Sequence, residues 1–422
     1  MTPARWLDVP IRVLISIALL YCIYLVSARA IAQWYFRQPP PEGLRKAIEW
    51  DPANPMYHSA LARVLSSSLE GADLNEVIHL YEKSTELSPY QARYWAELGG
   101  AYEVAGQVED AQRAYERAQQ LFPNSPEINW QLGNFYLRQG SIRLALKAFQ
   151  KVLLGDSSLW RQAFDLAWRA GAEPELILAE MIPPQPDILF PYLNYLIEKQ
   201  RIDQADEVWA RILALQLPFE ANAAFPYLDA LISNKRVNEL TTAWATLTKL
   251  NPTRIRQRAF DPNLITNGDF ESEILNGGLD WRVGILEGVV VSVDSLTFFD
   301  GTHSLKIQFD GTHNLDYGHV YQYIPVKPKT LYRFTGYMRT QGITTDSGLQ
   351  FQVYNAYDSS KLSLSTENLV GTSSWSPQQL EFQTGPDTQL LVVRVARSAS
   401  RKFDNQIAGT LWVDRMSLNA VE

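Results

Sequence analysis

The chain has one cysteine, Cys22. A disulfide within it, a thiolate metal cluster and CxxC redox chemistry are thereby excluded. Histidines number five and are scattered, with no HExxH motif; His303, His313 and His319 share a region but show no metal-ligand spacing. No G-x-S-x-G, Walker or G-x-G-x-x-G sequence occurs, so the usual nucleophile-elbow and phosphate-cradle signatures are missing. There is no long basic run, and the formal net charge is −8, which argues against nucleic acid as a partner. The short cluster Arg254, Arg256 and Arg258 reads as a solvated linker, with a phosphate or headgroup contact as the alternative. Carboxylate pairs for glycoside hydrolysis stay open, because their separation is spatial.

What is present begins with an apolar run. Val13–Ala28 carries no charge and is bracketed by Arg12 and Arg29. It falls short of the roughly 20 residues that span a bilayer. Arginines snorkel, however, and Trp34, Tyr35 and Phe36 suit an interfacial belt. Two readings follow. Residues 11–36 anchor the chain in a membrane, or a basic start (Arg5, Arg12) and Ala28-Arg29-Ala30 mark a cleaved secretory signal. Both put the bulk of the chain outside the cytoplasm, although basic residues on both sides leave the positive-inside rule undecided. Cys22 reads as a small hydrophobe, since Tyr21 precedes it where a lipid attachment site needs a small residue. Pro39, Pro40 and Pro41, within 37–43, predict a stiff spacer leading away from the membrane.

Residues 92–125 set the pattern of the middle of the chain. Trp95, Leu98, Gly99, Tyr102, Ala111, Tyr115, Ala118 and Pro123 are its marks. Adding 34 to five of these positions gives Leu132, Gly133, Tyr136, Ala145 and Phe149. Gly99 and Ala111 let two helices approach closely, and Pro123 ends the second. One such helix pair cannot bury its own apolar face and must stack on others. This segment resembles the tetratricopeptide repeat. A unit from Pro55, with His58, Leu61, Ala62 and Leu65, precedes it, with a longer loop from Leu69 to Asp73. Trp160, Phe164 and Trp168 read as core of a degenerate unit. Phe190-Pro191-Tyr192-Leu193 recurs as Phe225-Pro226-Tyr227-Leu228, and Trp209 as Trp244. About six helix pairs over 44–258 are expected, stacked as a right-handed superhelix with a concave groove. The resemblance places Arg93, Glu103, Trp130, Asn134, Arg138 and Asn194 in that groove, where they would meet a protein partner. The lysines of the carboxylate-clamp subtype are missing, which argues against capture of a peptide C-terminus.

At Phe260 the helical period stops and alternation of two begins. Leu305, Ile307 and Phe309 alternate with Lys306 and Gln308; Leu349, Phe351 and Val353 with Gln350, Gln352 and Tyr354; Leu391, Val393 and Val395 with Val392 and Arg394. Turn signals such as Asn276-Gly277-Gly278 and Asp310-Gly311 punctuate them, as in a two-sheet sandwich over 261–422. The opening Asn267-Gly268-Asp269-Phe270-Glu271, the following Leu279-Asp280-Trp281 and the closing Leu411-Trp412-Val413-Asp414 resemble galactose-binding-like jelly rolls, especially carbohydrate-binding modules of families 4, 9 and 22. That resemblance implies a structural Ca²⁺ held by Glu271 and Asp414 with carbonyls near Thr302. It departs from the family at Arg415, where a second Asp is common. The other reading makes the two carboxylates caps or ion-pair partners. The resemblance also implies a glycan face, for which Trp281, Tyr323, Arg339, Gln350, Gln352, Tyr354 and Arg394 are the candidates, because rings cover sugar C–H surfaces while amides and guanidinium bond hydroxyls. The other reading is a solvated sheet face.

The expected protein is therefore multidomain: a membrane helix or signal (1–36), the spacer (37–43), an all-α repeat array (44–258) and an all-β jelly roll (261–422). The expected function is a non-enzymatic scaffold at the bacterial inner membrane, with its bulk in the periplasm, or secreted if the N-terminus is cleaved. The repeats would recruit a protein, and the sandwich would hold a glycan in surface polysaccharide assembly or export. A pure protein-interaction scaffold and a glycan-processing enzyme are the rivals.

Overall fold

The computed structural model describes residues 5–67, 73–251 and 263–421, with side chains from residue 12 onward. The Arg254–Arg258 cluster, the switch at Phe260 and most of the Leu69–Asp73 loop lie outside the described residues. The chain divides into two compact units, Met1–Tyr192 and Leu193–Glu422.

The first unit is helical. It comprises α1 (Arg5–Phe36), α2 (Glu42–Trp50), α3 (Pro55–Ser66), α4 (Leu74–Leu87), α5 (Ala92–Val104), α6 (Val108–Leu121), α7 (Pro126–Arg138), α8 (Ile142–Gly155), α9 (Trp160–Arg169) and α10 (Pro174–Glu180). Local chemistry starts these helices. The Asn54 side chain accepts from the Met56 N–H at 3.1 Å, with Pro55 in the first turn; Ser125 does the same for Ile128 at 3.3 Å, ahead of Pro126. Gly106 and Gly140 take positive φ (75° and 72°) just past α5 and α7, the left-handed geometry that ends a helix most easily with glycine. Packing then pairs α3 with α4, α5 with α6 and α7 with α8. The Tyr115 ring lies on Gly99 and the Phe149 ring on Gly133, where an added Cβ would come within 2.9 Å and 2.7 Å of ring carbons. The small residue is thus required by close approach.

Within Arg12–Phe36 of α1 an 18-residue stretch has a mean hydropathy of 2.0, and the helix is long and apolar enough to cross a membrane. Its large apolar side chains from Val13 to Val26 are exposed, apart from half-buried Leu25. The last turns are different: Ala28 and Ala32 are buried, and Ala32 packs with Ala47 and Tyr57. Pro39–Pro41 do not lead α2 away. They lie in a turn in which Gln38 N donates to Tyr35 O at 2.9 Å and Gly43 N to Pro39 O at 3.1 Å, and α2 folds back on α1. The stiff spacer expected here is therefore corrected. Proline-set φ suits a turn as well as an extended run, and the apolar faces of α1 and α2 decide between them. The first helix pair starts inside the apolar helix.

The division between units falls within α11 (Pro186–Glu198), which carries Pro191 in its interior. The second unit continues with α12 (Ile202–Ala214), α13 (Phe225–Ser233) and α14 (Val237–Leu250). Among the described residues ten strands follow: β1 (Arg282–Val283), β2 (Val289–Asp294), β3 (Ser304–Asp310), β4 (Tyr317–Pro325), β5 (Leu331–Ile343), β6 (Gln350–Asn355), β7 (Ser363–Ser365), β8 (Gly371–Gln383), β9 (Leu390–Arg397) and β10 (Ala408–Ala420). They form two antiparallel sheets. Sheet A has the order β1-β4-β9-β6-β7 and sheet B the order β2-β3-β10-β5-β8. Leu305, Ile307 and Phe309 from sheet B meet Phe351, Val353, Val393 and Val395 from sheet A in one buried core, as the alternation requires.

The opening segment closes this core. Asn263 Oδ1 accepts from Leu418 N at 2.9 Å, and Gln322, fully buried, exchanges two hydrogen bonds with the Thr266 backbone at 3.0 Å and 2.8 Å. The hairpin α13–α14 rests on the sandwich. Asp229 pairs with Arg282, the Tyr357 hydroxyl donates to Ile232 O at 3.1 Å, and Phe225 and Trp244 abut Gly277 and Gly278.

Candidate functional site

The outer face of sheet A gathers most of the polar and aromatic candidates. Register aligns Arg282, Tyr321, Arg394, Gln352 and Ser365 across five strands, and Tyr323, Val392, Tyr354 and Ser363 in the next outward row. Each polar or aromatic member of these rows is half-buried or exposed. Arg394 Nε donates to Gln352 Oε1 at 2.7 Å, and its guanidinium lies 5.2 Å from the Tyr354 ring centre. Arg282 lies 5.3 Å from the Tyr323 ring centre, and Tyr321 meets Tyr323 edge-on at 5.7 Å. Burial pushes the phenol pKa values of Tyr323 and Tyr354 up, so both hydroxyls are neutral donors and acceptors at neutral pH. Gln350 is half-buried on the same face, opposite Ala396.

Two predicted residues are elsewhere. Trp281 is fully buried: its ring packs 5.5 Å from Phe270 and its indole N–H donates to Asn267 O at 3.1 Å. It fills the core beneath the opening segment and offers no face to a ligand. Arg339 belongs to β5 in sheet B, where it and Lys306 flank Trp412 at 5.5 Å and 5.8 Å. Alternation separates inside from outside but does not say which sheet a strand joins. Two residues were missed: Tyr321, which shares a face with Tyr323 by the same alternation, and Arg282 next to Trp281, whose strand is only two residues long.

The two proposed metal carboxylates are tied to one loop. Glu271 accepts from Thr302 N at 2.5 Å, Thr302 Oγ1 at 2.6 Å and His303 N at 2.9 Å. Asp414 accepts from Phe299 N at 2.7 Å and Asp300 N at 3.0 Å. Burial raises the Glu271 pKa, but the Thr302 and His303 bonds outweigh it and hold the carboxyl at about 2. Arg415 pairs with Asp300 at 3.3 Å. A hard cation needs oxygen atoms facing it. Here N–H groups face both carboxylates, and among the described residues no three His, Cys, Asp or Glu side chains could hold a metal ion together. These residues do not fit Ca²⁺; they fit a hydrogen-bonded latch.

In the helical unit the predicted groove residues are mostly engaged with one another. Glu103 accepts two bonds from Arg138, at 2.5 Å and 2.9 Å, and one from the Tyr115 hydroxyl at 3.1 Å. Trp130 packs 5.5 Å from Phe149, and Asn134 donates to Trp130 O at 2.8 Å. Arg93 is different. With Arg63 it holds Glu97, at 2.9 Å and 2.7 Å, beside a cleft of about 580 Å³ whose lining includes Tyr90, Phe122 and Gln131. Tyr90 and Phe122 are 81% and 56% exposed, and neither was singled out because both sit in inter-hairpin loops outside the repeat pattern. Asn194 belongs to the second unit. A larger cleft, about 870 Å³, runs between α14 (Thr241, Trp244) and the sandwich near Asn267, Asp269, Tyr323 and Tyr337.

Comparison with known proteins bears on the helical part of the chain. Residues 92–135 match the tetratricopeptide repeat family model. A curated relative, mouse (Mus musculus) protein O-mannosyl-transferase TMTC1, is 32% identical over 85 residues, which is 20% of this chain and 9% of that protein. The chain thus spans about a tenth of the length of the curated relatives it matches. Among solved structures, MamA is similar over 47% of this chain and 98% of its own, at 18% identity and a TM-score of 0.31. A family 4 carbohydrate-binding module is similar over 37% of this chain and 99% of its own, at 13% identity and a TM-score of 0.28. Residues 92–135 are therefore tetratricopeptide repeat, in a chain whose C-terminal part is a two-sheet antiparallel sandwich.

Proposed function

We propose that this chain is a membrane-held, non-catalytic binding protein whose repeats take a protein partner and whose sandwich takes a glycan on the outer face of sheet A. The observation that carries the glycan half is the pair of rows built on Tyr321, Arg394 and Gln352 and on Tyr323 and Tyr354. Rings beside fixed planar donors are what a sugar's C–H faces and hydroxyls require. The protein half rests on the repeat match and on the Arg63–Glu97–Arg93 cleft, with its exposed Tyr90 and Phe122. Anchoring rests on the exposed apolar stretch of α1, and retention of the anchor on Ala28 and Ala32, which are buried in the first helix pair. Cleavage at Ala28-Arg29-Ala30 would cut that pair. In this reading the bulk of the chain faces the periplasm, and assembly or export of a surface polysaccharide is its setting.

The test is affinity electrophoresis of the detergent-solubilised full chain through gels containing a broad panel of polysaccharides. Retardation by at least one polymer, lost in Tyr354→Ala and Tyr321→Ala, supports the glycan half. Free migration through every gel overturns it and leaves a protein-only scaffold.

A further inference from the structure

The charge on the outer face of sheet A narrows the ligand. Arg394 projects from the middle of the face, flanked by Tyr321 on β4 and Gln352 on β6. Among the described residues no carboxylate pairs with it, whereas Arg282 in the same row is matched by Asp229, Arg333 on sheet B by Glu381 and Arg415 by Asp300. Its guanidinium is nevertheless fixed. Nε is spent on Gln352 at 2.7 Å, the guanidinium carbon sits over the Tyr354 ring at 5.2 Å from its centre, and one terminal nitrogen occupies the space over Gly318, where an added Cβ would come within 2.5 Å of it. Any side chain at 318 would displace it.

A guanidinium held rigid, half-exposed and without a counter-ion is a preorganised partner for a planar anion. The surroundings say what carries the anion. Tyr321 and Tyr354 offer ring surface, while Gln350, Gln352, Ser363 and Ser365 offer neutral hydrogen-bonding groups on the same face. That set suits a hydroxyl-rich ring better than a peptide, whose backbone would seek an unpaired strand edge. We infer that the face binds acidic polysaccharide, with Arg394 taking the carboxylate of a uronic acid residue. This rests on the glycan reading above and adds to it the class of sugar.

The experiment compares the detergent-solubilised full chain in gels of polygalacturonate, alginate, carboxyl-reduced polygalacturonate and dextran sulfate. Retardation by the two uronate polymers and free passage through the carboxyl-reduced one are expected. Arg394→Ala should weaken uronate binding by about tenfold or more, with Arg394→Lys between it and the parent, because an ammonium keeps the charge and loses the planar pair. Arg333→Ala, on the opposite sheet, should bind as the parent does. Equal thermal unfolding of parent and Arg394→Ala shows that the loss is not misfolding. Binding of the neutral polymer that survives Arg394→Ala overturns the uronate inference while the glycan reading stands. Retention by dextran sulfate equal to that by uronate, unchanged in Arg394→Lys, marks general polyanion attraction and also overturns it. Retardation by none of these polymers overturns the uronate inference, whereas the glycan reading falls only with the broad panel.

Discussion

Tyr136 donates its phenolic O–H to Glu116 of the preceding hairpin at 2.9 Å. Tyr102 does the same to Glu82 at 2.7 Å, and Tyr227 to Asp206 at 2.7 Å. The repeat position shared by Tyr102 and Tyr136 thus carries a charged hydrogen bond from hairpin to hairpin, and Tyr227, at a different position, makes a similar one. Burial first, and the carboxylate second, push the three phenol pKa values well above the ordinary tyrosine range. Bonds to charged groups are worth about 1.5–3 kcal/mol. Glu116 is half-exposed and is also bonded by Gln112, so Tyr136→Phe should cost nearer ~1 kcal/mol. Thermal unfolding of the full chain should show a lower Tm, and hydrogen exchange should quicken first in α6 and α7. Unchanged exchange in both helices would mean that the ring alone matters.

Gln200 and Lys235 occupy, after α11 and α13, the place that Gly106 and Gly140 occupy after α5 and α7. Their φ values are 57° and 59°. A side chain in this region costs about 1 kcal/mol or more relative to glycine. Gln200→Gly should therefore raise stability by ~1 kcal/mol, read as a higher urea midpoint at unchanged slope. Lys235 is a poorer choice, since its ammonium sits 5.5 Å from the Tyr357 ring centre. A lower midpoint for Gln200→Gly would show that the glutamine side chain makes a contact that outweighs the strain.

These particulars show what a linear pattern can carry. Gly99 with Tyr115, and Leu305 with Ile307 and Phe309, were legible because helix spacing and strand alternation are local and burial repeats with them. Arg394 and Arg339 look alike in sequence, each at an outward position of an alternating strand. Their sheets are set by which strands pair across the whole domain, β9 with β4 and β6, β5 with β10 and β8. Trp281 was a candidate sugar platform because the resemblance implies aromatic rings on the glycan face. The opening segment folds over it, and nothing near residue 281 encodes that. Glu271 and Asp414 were recognisable as conserved-pattern carboxylates of the resemblance; that N–H groups rather than a cation face them depends on the course of the 299–303 loop.

That latch makes its own prediction. If Glu271 and Asp414 bind backbone N–H groups, millimolar Ca²⁺ and EDTA should leave the Tm of the full chain unchanged, since a ligand of the folded state alone would raise it. Glu271→Gln should cost about 1–3 kcal/mol, because the donors lose an ionised acceptor. The pH dependence follows from a folded pKa of about 2 against an ordinary value of 4.5. The folded state holds the proton less tightly, so this stabilisation is fully present above pH 4.5 and is lost as pH falls through about 2. A Tm that rises with Ca²⁺, and does so only with Glu271 intact, would restore the metal.

Asp280 has the opposite sign. It is buried; Oδ2 accepts from Leu275 N at 2.8 Å and Oδ1 has no hydrogen-bond partner. Burial raises its pKa to about 6 from an ordinary 3.8, against the pull of the Leu275 N–H group. The folded chain then binds the proton more tightly than the unfolded chain, so this carboxyl lowers stability as pH rises from 3.8 to about 6 and keeps it lowered above. Asp280→Asn retains an oxygen for Leu275 and removes the charge. It should stabilise the chain at pH 8 by about 1–3 kcal/mol, with the gain shrinking as pH falls through 6 and vanishing near 4. The measurement is the difference in unfolding free energy between parent and variant across pH 4–8. A difference that stays constant over that range would show that Asp280 titrates as it does in water, and the buried-carboxyl account would fail.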